Sequence, residues 1–279
     1  MSVIHGGLVL FCGLLLQPET RFVQVHPKRD DEAAIERSAD QRRAVILING
    51  LELHPFSNEK ARQARVRDWQ QAESALVRTL GQDSDVFAFA YSQDVPVNEI
   101  AESVGVSDAV KQLRQLGYRE IVLIGHSAGG LVARQFVEDH PNAGVSKVIQ
   151  LCSPNLGSAW AFEEGVVREE QERFLKSLSK PARAEYLNTR PDKTIPDSVQ
   201  FVCVVGDCGT KGDGVVSYDS QWPEDLRSNG IPAVHVYTTH FTSVRSSRVA
   251  EILAGLVREK QPRWDEEKVA EMKKNIFGK

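Results

Sequence analysis

Ala44–Ile48 (AVILI) is an unbroken apolar run rich in β-branched residues, closed by Asn49-Gly50. A strand with one wet face alternates apolar and polar residues, so a continuous run marks a strand buried on both faces. Similar short runs return at Asp85–Tyr91 (DVFAFAY), Glu120–Ile124 (EIVLI), Lys147–Cys152 (KVIQLC), Val199–Val205 and Ala233–Tyr237. Between them the period changes. Val66, Trp69, Ala72, Leu76 and Leu80 recur every three or four residues and predict an amphipathic helix stopped by Gly81. Helices are likewise predicted over Val104–Leu116, Leu131–Val137, along Val249, Ile252, Leu253, Leu256 and Val257, and along Val269, Met272 and Ile276. Strands alternating with helices imply parallel strands joined by right-handed crossovers. The expected fold is therefore α/β, a mostly parallel central sheet with helices on both faces.

Two stretches depart from that rhythm. Between Ser158 and Ser198 helical patterns intervene where a strand-to-strand connection is normally short. Trp160, Phe162, Val166, Val167, Phe174, Leu175, Leu178 and Tyr186 make this insertion apolar enough to cover something. A helical cap over the mouth of a site is the functional expectation, and a helix pair packed on the sheet edge is the bland one. Pro27–Arg43 is charged and poor in large apolar residues, the mark of a solvated linker or surface helix. The expected organisation is thus an N-terminal segment and linker over 1–43, a catalytic domain over 44–260 with its insertion at 158–198, and a C-terminal amphipathic helix over 261–279. Residues 1–16 (MSVIHGGLVLFCGLLL) hold an apolar run of signal-peptide length, too short for a spanning helix. Export or N-terminal anchoring stands beside a plain first strand of the domain.

Composition narrows the partners. With 41% hydrophobic, 26% charged and 7% aromatic residues the 279-residue chain is ordinary globular material, and a net charge of −4 offers no basic face for a nucleic acid. Cys12, Cys152, Cys203 and Cys208 are too few and scattered for a disulfide framework, although Cys203 and Cys208 are close enough in sequence to pair. No histidine, cysteine or acidic cluster has metal-ligand spacing, so neither a metal nor another cofactor is expected. Nothing in the pattern sets an oligomeric state.

The candidate chemistry centres on Gly125-His126-Ser127-Ala128-Gly129. A serine hydroxyl is a weak nucleophile near neutral pH and needs a base and an exposed, tight turn. Small residues two before and two after the serine permit that turn, and here an apolar strand runs into it and a helix out of it. Ile48-Asn49-Gly50-Leu51, Leu151-Cys152-Ser153-Pro154-Asn155-Leu156-Gly157-Ser158 and Gly212-Asp213-Gly214-Val215-Val216 accompany it. On these four motifs the chain resembles the α/β-hydrolase superfamily over residues 44–258. Within it, the chain is similar to bacterial triacylglycerol lipases and the inositol-deacylase group.

The resemblance implies roles for particular residues. Ser127 would be the nucleophile, and the backbone amides of Leu51 and Ala128 the oxyanion hole. Family members usually carry His-Gly where this chain has Asn49-Gly50, which bears on how that loop is held. The acid follows the serine in this fold and precedes the histidine. Asp213 is favoured because its loop is similar to the lipase acid loop; Asp207, nearer the strand end, is the rival. Of seven histidines only His235 and His240 follow the acids. His240 is the candidate base, because it lies just past a strand at its carboxyl end, where open α/β sheets bind ligands; His235 lies within the strand. His126 is expected to pack beneath the nucleophile and His54 to line the mouth. The implied activity is hydrolysis of a carboxylic ester, lipid or otherwise hydrophobic, with association at a lipid interface. Amide or thioester hydrolysis on the same triad, and a non-catalytic binding domain, are the alternatives.

Overall fold

The computed structural model describes residues 17–29, 31, 34–54, 56–162 and 169–278. Seven strands form one sheet: β1 (Thr20–His26), β2 (Arg43–Ile48), β3 (Asp85–Tyr91), β4 (Glu120–His126), β5 (Lys147–Leu151), β6 (Gln200–Asp207) and β7 (Ala233–Tyr237), in the order β1-β3-β2-β4-β5-β6-β7. Only β1 runs antiparallel, against β3; the other neighbours are parallel. The apolar runs are buried on both faces as their patterns require. Ala44, Ile46 and Ile48 point into one core with the helices Val104–Gln115 and Ala128–Asp139. Val45 and Leu47 point into the other with Ala75–Leu80 and Ser247–Arg258. Every strand that sequence patterning predicts is present, and the fold is the α/β-hydrolase fold.

Strand order decides where a site can form. From β2 the chain steps one way to β3 and then back across to β4 and onward, so the strand order reverses between β2 and β4. Loops leaving the carboxyl ends of strands on either side of such a reversal diverge and open a crevice. Ile48 at the end of β2 lies beside Gly125 of β4, which puts Asn49-Gly50-Leu51 and Ser127 at that crevice.

Four expectations need revision. The sheet begins at β1, ahead of residue 44, because a half-exposed antiparallel edge strand needs only the weak alternation of TRFVQVH. The 27–43 stretch, where described, is neither free nor helical: Ser38 bonds the Asp85 carboxylate through both its amide (2.9 Å) and its hydroxyl (2.7 Å), and Arg37 donates to the Leu116 carbonyl (3.0 Å). The helix read over 66–80 is broken. Buried Gln70 donates to carbonyls near the carboxyl ends of β2 and β3, Leu47 (2.8 Å) and Phe89 (3.3 Å). Gln71 is then extended, and a helix restarts at Ala75 under a Ser74 cap. Cys152, Cys203 and Cys208 are free thiols, so the Cys203–Cys208 pairing does not form; Cys12 lies outside the described residues.

Of the insertion, the described part holds helices Glu169–Ser177 and Lys180–Asn188. It is integrated into the domain: Phe174, Leu175 and Leu178 are buried in the larger core, with the Phe174 ring 6.1 Å from Tyr91. Phe162, Val166 and Val167 lie outside the residues whose side chains are described, as does the apolar start at 1–16. The C-terminal helix Glu266–Phe277 docks through buried Ile276. Among the described residues no helix is long and apolar enough to cross a membrane.

Candidate active site

β4 ends at His126 and the helix begins at Ala128, so Ser127 alone makes the turn. Its φ of 54° and ψ of −126° lie where side-chain-bearing residues are strained, the conformation that lifts a hydroxyl off a strand-to-helix elbow. The flanking glycines follow from contact. A Cβ on Gly125 would sit 2.4 Å from the Gly129 carbonyl oxygen, and one on Gly129 would sit 2.3 Å from that of Ile48. The helix therefore packs directly on the ends of β4 and β2. The Ser127 amide donates to the Leu151 carbonyl at 2.9 Å, which ties the turn to β5.

Three side chains form one hydrogen-bonded line. His240 Nε2 is 3.0 Å from Ser127 Oγ, and His240 Nδ1 is 2.7 Å from Asp213 Oδ2. Asp213 Oδ1 accepts from the amides of Val215 (2.9 Å) and Val216 (2.7 Å), and the His240 amide donates to the Asp213 carbonyl at 2.9 Å. Asp213 and His240 are thus joined through backbone as well as side chain. Burial pushes the Asp213 carboxyl upward, but the His240 bond and charge and the two amides outweigh it and hold the group below the usual carboxylate range. Asp213 is an anion at neutral pH that accepts from Nδ1 and leaves Nε2 toward the serine.

The rival acid is paired with the other histidine. Asp207 Oδ2 is 3.0 Å from His235 Nε2, and the Asp207 carboxylate also accepts from the Gly209 amide (2.7 Å) and the Tyr218 hydroxyl. It stays clear of Ser127 because His235 projects from within β7, whereas His240 is on the loop beyond it. His126 is buried with its ring 4.9 Å from that of His240 and its Nε2 3.1 Å from the His240 carbonyl. Burial, then repulsion from His240, lowers its pKa to about 3, so the ring is neutral and donates to that carbonyl. His54, expected at the mouth, is instead buried, its amide on Gln171 (2.8 Å) and its ring beside Glu52 (3.4 Å).

Above Ser127 lies a cavity of about 440 Å³. Gly50, Leu51, Trp69 and Val244 line it, and Val215, Val216 and Phe241 come from the loops that carry Asp213 and His240. The insertion supplies Trp160, Leu175 and Leu178, so it walls the site as well as packing on the core. Among the described residues no acceptor takes the amide of Leu51 or of Ala128. Sequence reasoning missed Trp69, Val244 and the buried glutamines 70, 93 and 171, since nothing in their local pattern separates them from core or surface residues.

Among the described residues one group brings metal-ligand atoms together, Cys152, Asp213 and His240, within 4.8 Å of one another. Two of the three, Asp213 and His240, are already bonded to each other, and the Cys152 thiol bonds the Asp213 carboxylate. Burial, then the neighbouring Asp213 charge, pushes the Cys152 thiol up, and a protonated thiol is a poor ligand.

A family model described as a PGAP1-like alpha/beta domain matches residues 67–247, from Arg67 through the loop that carries His240. The chain belongs to that family. As a PGAP1-like domain it shares its fold with several solved enzymes. The mature lipase BlEst2 of Bacillus licheniformis has a TM-score of 0.62 at 13% identity, over 86% of this chain and 98% of that one. Aspergillus fumigatus lipase B gives 0.55 at 14%, over 84% and 57%. A lipase-esterase related protein from Clostridium acetobutylicum gives 0.52 at 11%, over 86% and 99%. At such identities the likeness is one of fold. No curated protein matches this PGAP1-like chain in sequence.

Proposed function

We propose that this domain is a serine hydrolase that cleaves hydrophobic carboxylic esters through an acyl-enzyme intermediate. The observation that carries the reading is the buried Ser127–His240–Asp213 line opening into a cavity walled by Trp69, Trp160, Leu175 and Leu178. His240 takes the Ser127 proton as Oγ attacks the acyl carbon, and Asp213 stabilises the resulting imidazolium. The Leu51 and Ala128 amides, free of other acceptors among the described residues, bind the oxygen that becomes negative in the tetrahedral state. His240 then returns the proton to the leaving alkoxide. Water, activated by the same histidine, releases the acid.

An apolar acyl chain suits the cavity walls, and a lipid interface suits its rim, where Leu53, Trp160 and Phe241 are 44%, 61% and 61% exposed. Lipase and esterase appear in the descriptions of the solved structures that share the fold, which supports the ester as the substrate class. The test is hydrolysis of p-nitrophenyl esters of graded chain length by wild type and Ser127→Ala. Turnover that rises with chain length and vanishes in the variant supports the reading; equal turnover in a folded Ser127→Ala protein refutes it.

A further inference from the structure

The backbone on either side of Leu51 is tied down by two buried glutamines far apart in sequence. Gln93 follows β3 and Gln171 lies in the inserted helix Glu169–Ser177; they are 1% and 0% exposed. Gln93 Nε2 donates to the Gly50 carbonyl at 2.9 Å, and Asn49 Nδ2 reaches the same oxygen at 3.3 Å. Gln93 Oε1 accepts from the Glu52 amide (3.0 Å) and from Gln171 Nε2 (3.0 Å). Gln171 Nε2 also donates to the Glu52 carbonyl (2.5 Å), and its Oε1 accepts from the His54 amide (2.8 Å). The Tyr91 hydroxyl holds the Asn49 carbonyl at 2.7 Å. Residues 49, 50, 52 and 54 are therefore anchored, and Leu51 between them is not.

One of these bonds bears directly on chemistry. The Gly50 carbonyl and the Leu51 N–H belong to the same peptide unit, which is planar and trans, so they point in opposite directions. Whatever fixes the carbonyl aims the N–H. We propose that Gln93 is a positioning residue that aims the Leu51 amide at the developing oxyanion, and that Gln171 holds Gln93, making the inserted helix part of the scaffold of the oxyanion hole. The proposal rests on Ser127 being the nucleophile. It also accounts for Asn49 at a position where the resemblance to lipases implies histidine: the loop is held from β3 and the insertion.

Gln93→Met and Gln171→Met keep side-chain length and remove the polar ends. Gln93→Met is expected to lower kcat on a soluble ester about 10- to 100-fold with KM within about twofold, because the lost donor matters only as charge develops. Gln171→Met, acting through Gln93, lowers kcat about 3- to 10-fold, and the double variant is no worse than Gln93→Met alone. Affinity for an alkylboronic acid, whose tetrahedral serine adduct puts an oxygen in the hole, falls by the same factor as kcat/KM. Should Gln93→Met not fold, Gln93→Asn, too short to reach Gly50, carries the same expectations. Unchanged kcat in a folded variant, boronate affinity that does not follow kcat/KM, or multiplying effects in the double variant would each overturn the proposal. Loss of the underlying reading looks different: Ser127→Ala would keep wild-type turnover, or boronate would leave wild type uninhibited, whatever the glutamines do.

Discussion

Two Asp–His pairs stand side by side at the carboxyl end of the sheet, Asp213–His240 at 2.7 Å and Asp207–His235 at 3.0 Å. Both carboxyls are held below their usual range by hydrogen bonds that outweigh burial, so charge does not tell the pairs apart. What differs is the other end of the imidazole and the backbone behind it. His240 stands on a loop past β7 and meets Ser127; His235 is a strand residue beside Val205, and its partner Asp207 braces the start of the loop that leads to Asp213. An Asp–His bond is thus a common structural part, and what sets the Asp213–His240 pair apart is its junction with a strained serine.

The comparison can be broken experimentally, beginning with its largest expected effect. Asp213→Asn should lower kcat about 10⁴-fold on an ester substrate, since His240 loses the partner that fixes its tautomer. Asp207→Asn should change kcat less than about 10-fold and lower stability by about 1–3 kcal/mol, read from denaturant midpoints, because the amide keeps only one of the two oxygens that accept from His235, Tyr218 and Gly209. The reverse ranking would make Asp207 the acid. A smaller effect concerns pH. His126 titrates near 3 in the folded chain against an ordinary 6.5, so as pH falls below 6.5 the unfolded chain takes up the proton first. The folded state then loses up to about 1.4 kcal/mol per pH unit down to about pH 3. In His126→Phe that slope should shrink, and an identical pH dependence of the denaturant midpoint would show that His126 is not buried neutral.

Much of this was legible in the chain. Ser127 was, because the elbow is a local device whose glycines, strand and helix adjoin it. The Asp213 and His240 candidates were too, Asp213 through the resemblance of its Gly-Asp-Gly-Val-Val loop to the lipase acid loop and His240 through its place just past a strand. Parts built from distant contacts were not. Gln171 reaches Gln93 across 78 residues and Glu52 across 119, and no local pattern announces a buried amide. The 66–80 helix failed for a related reason: its apolar period is real, but Gln70 turns inward to bond carbonyls of two strands.

The most direct test is covalent trapping. Wild type, Asp207→Asn and Asp213→Asn would be treated with a fluorophosphonate and peptide-mapped by mass spectrometry. The account expects one adduct, on Ser127, forming in Asp207→Asn within about tenfold of the wild-type rate and in Asp213→Asn more than about 10²-fold slower. An adduct on another residue, or equal labelling rates in the two variants, would contradict it.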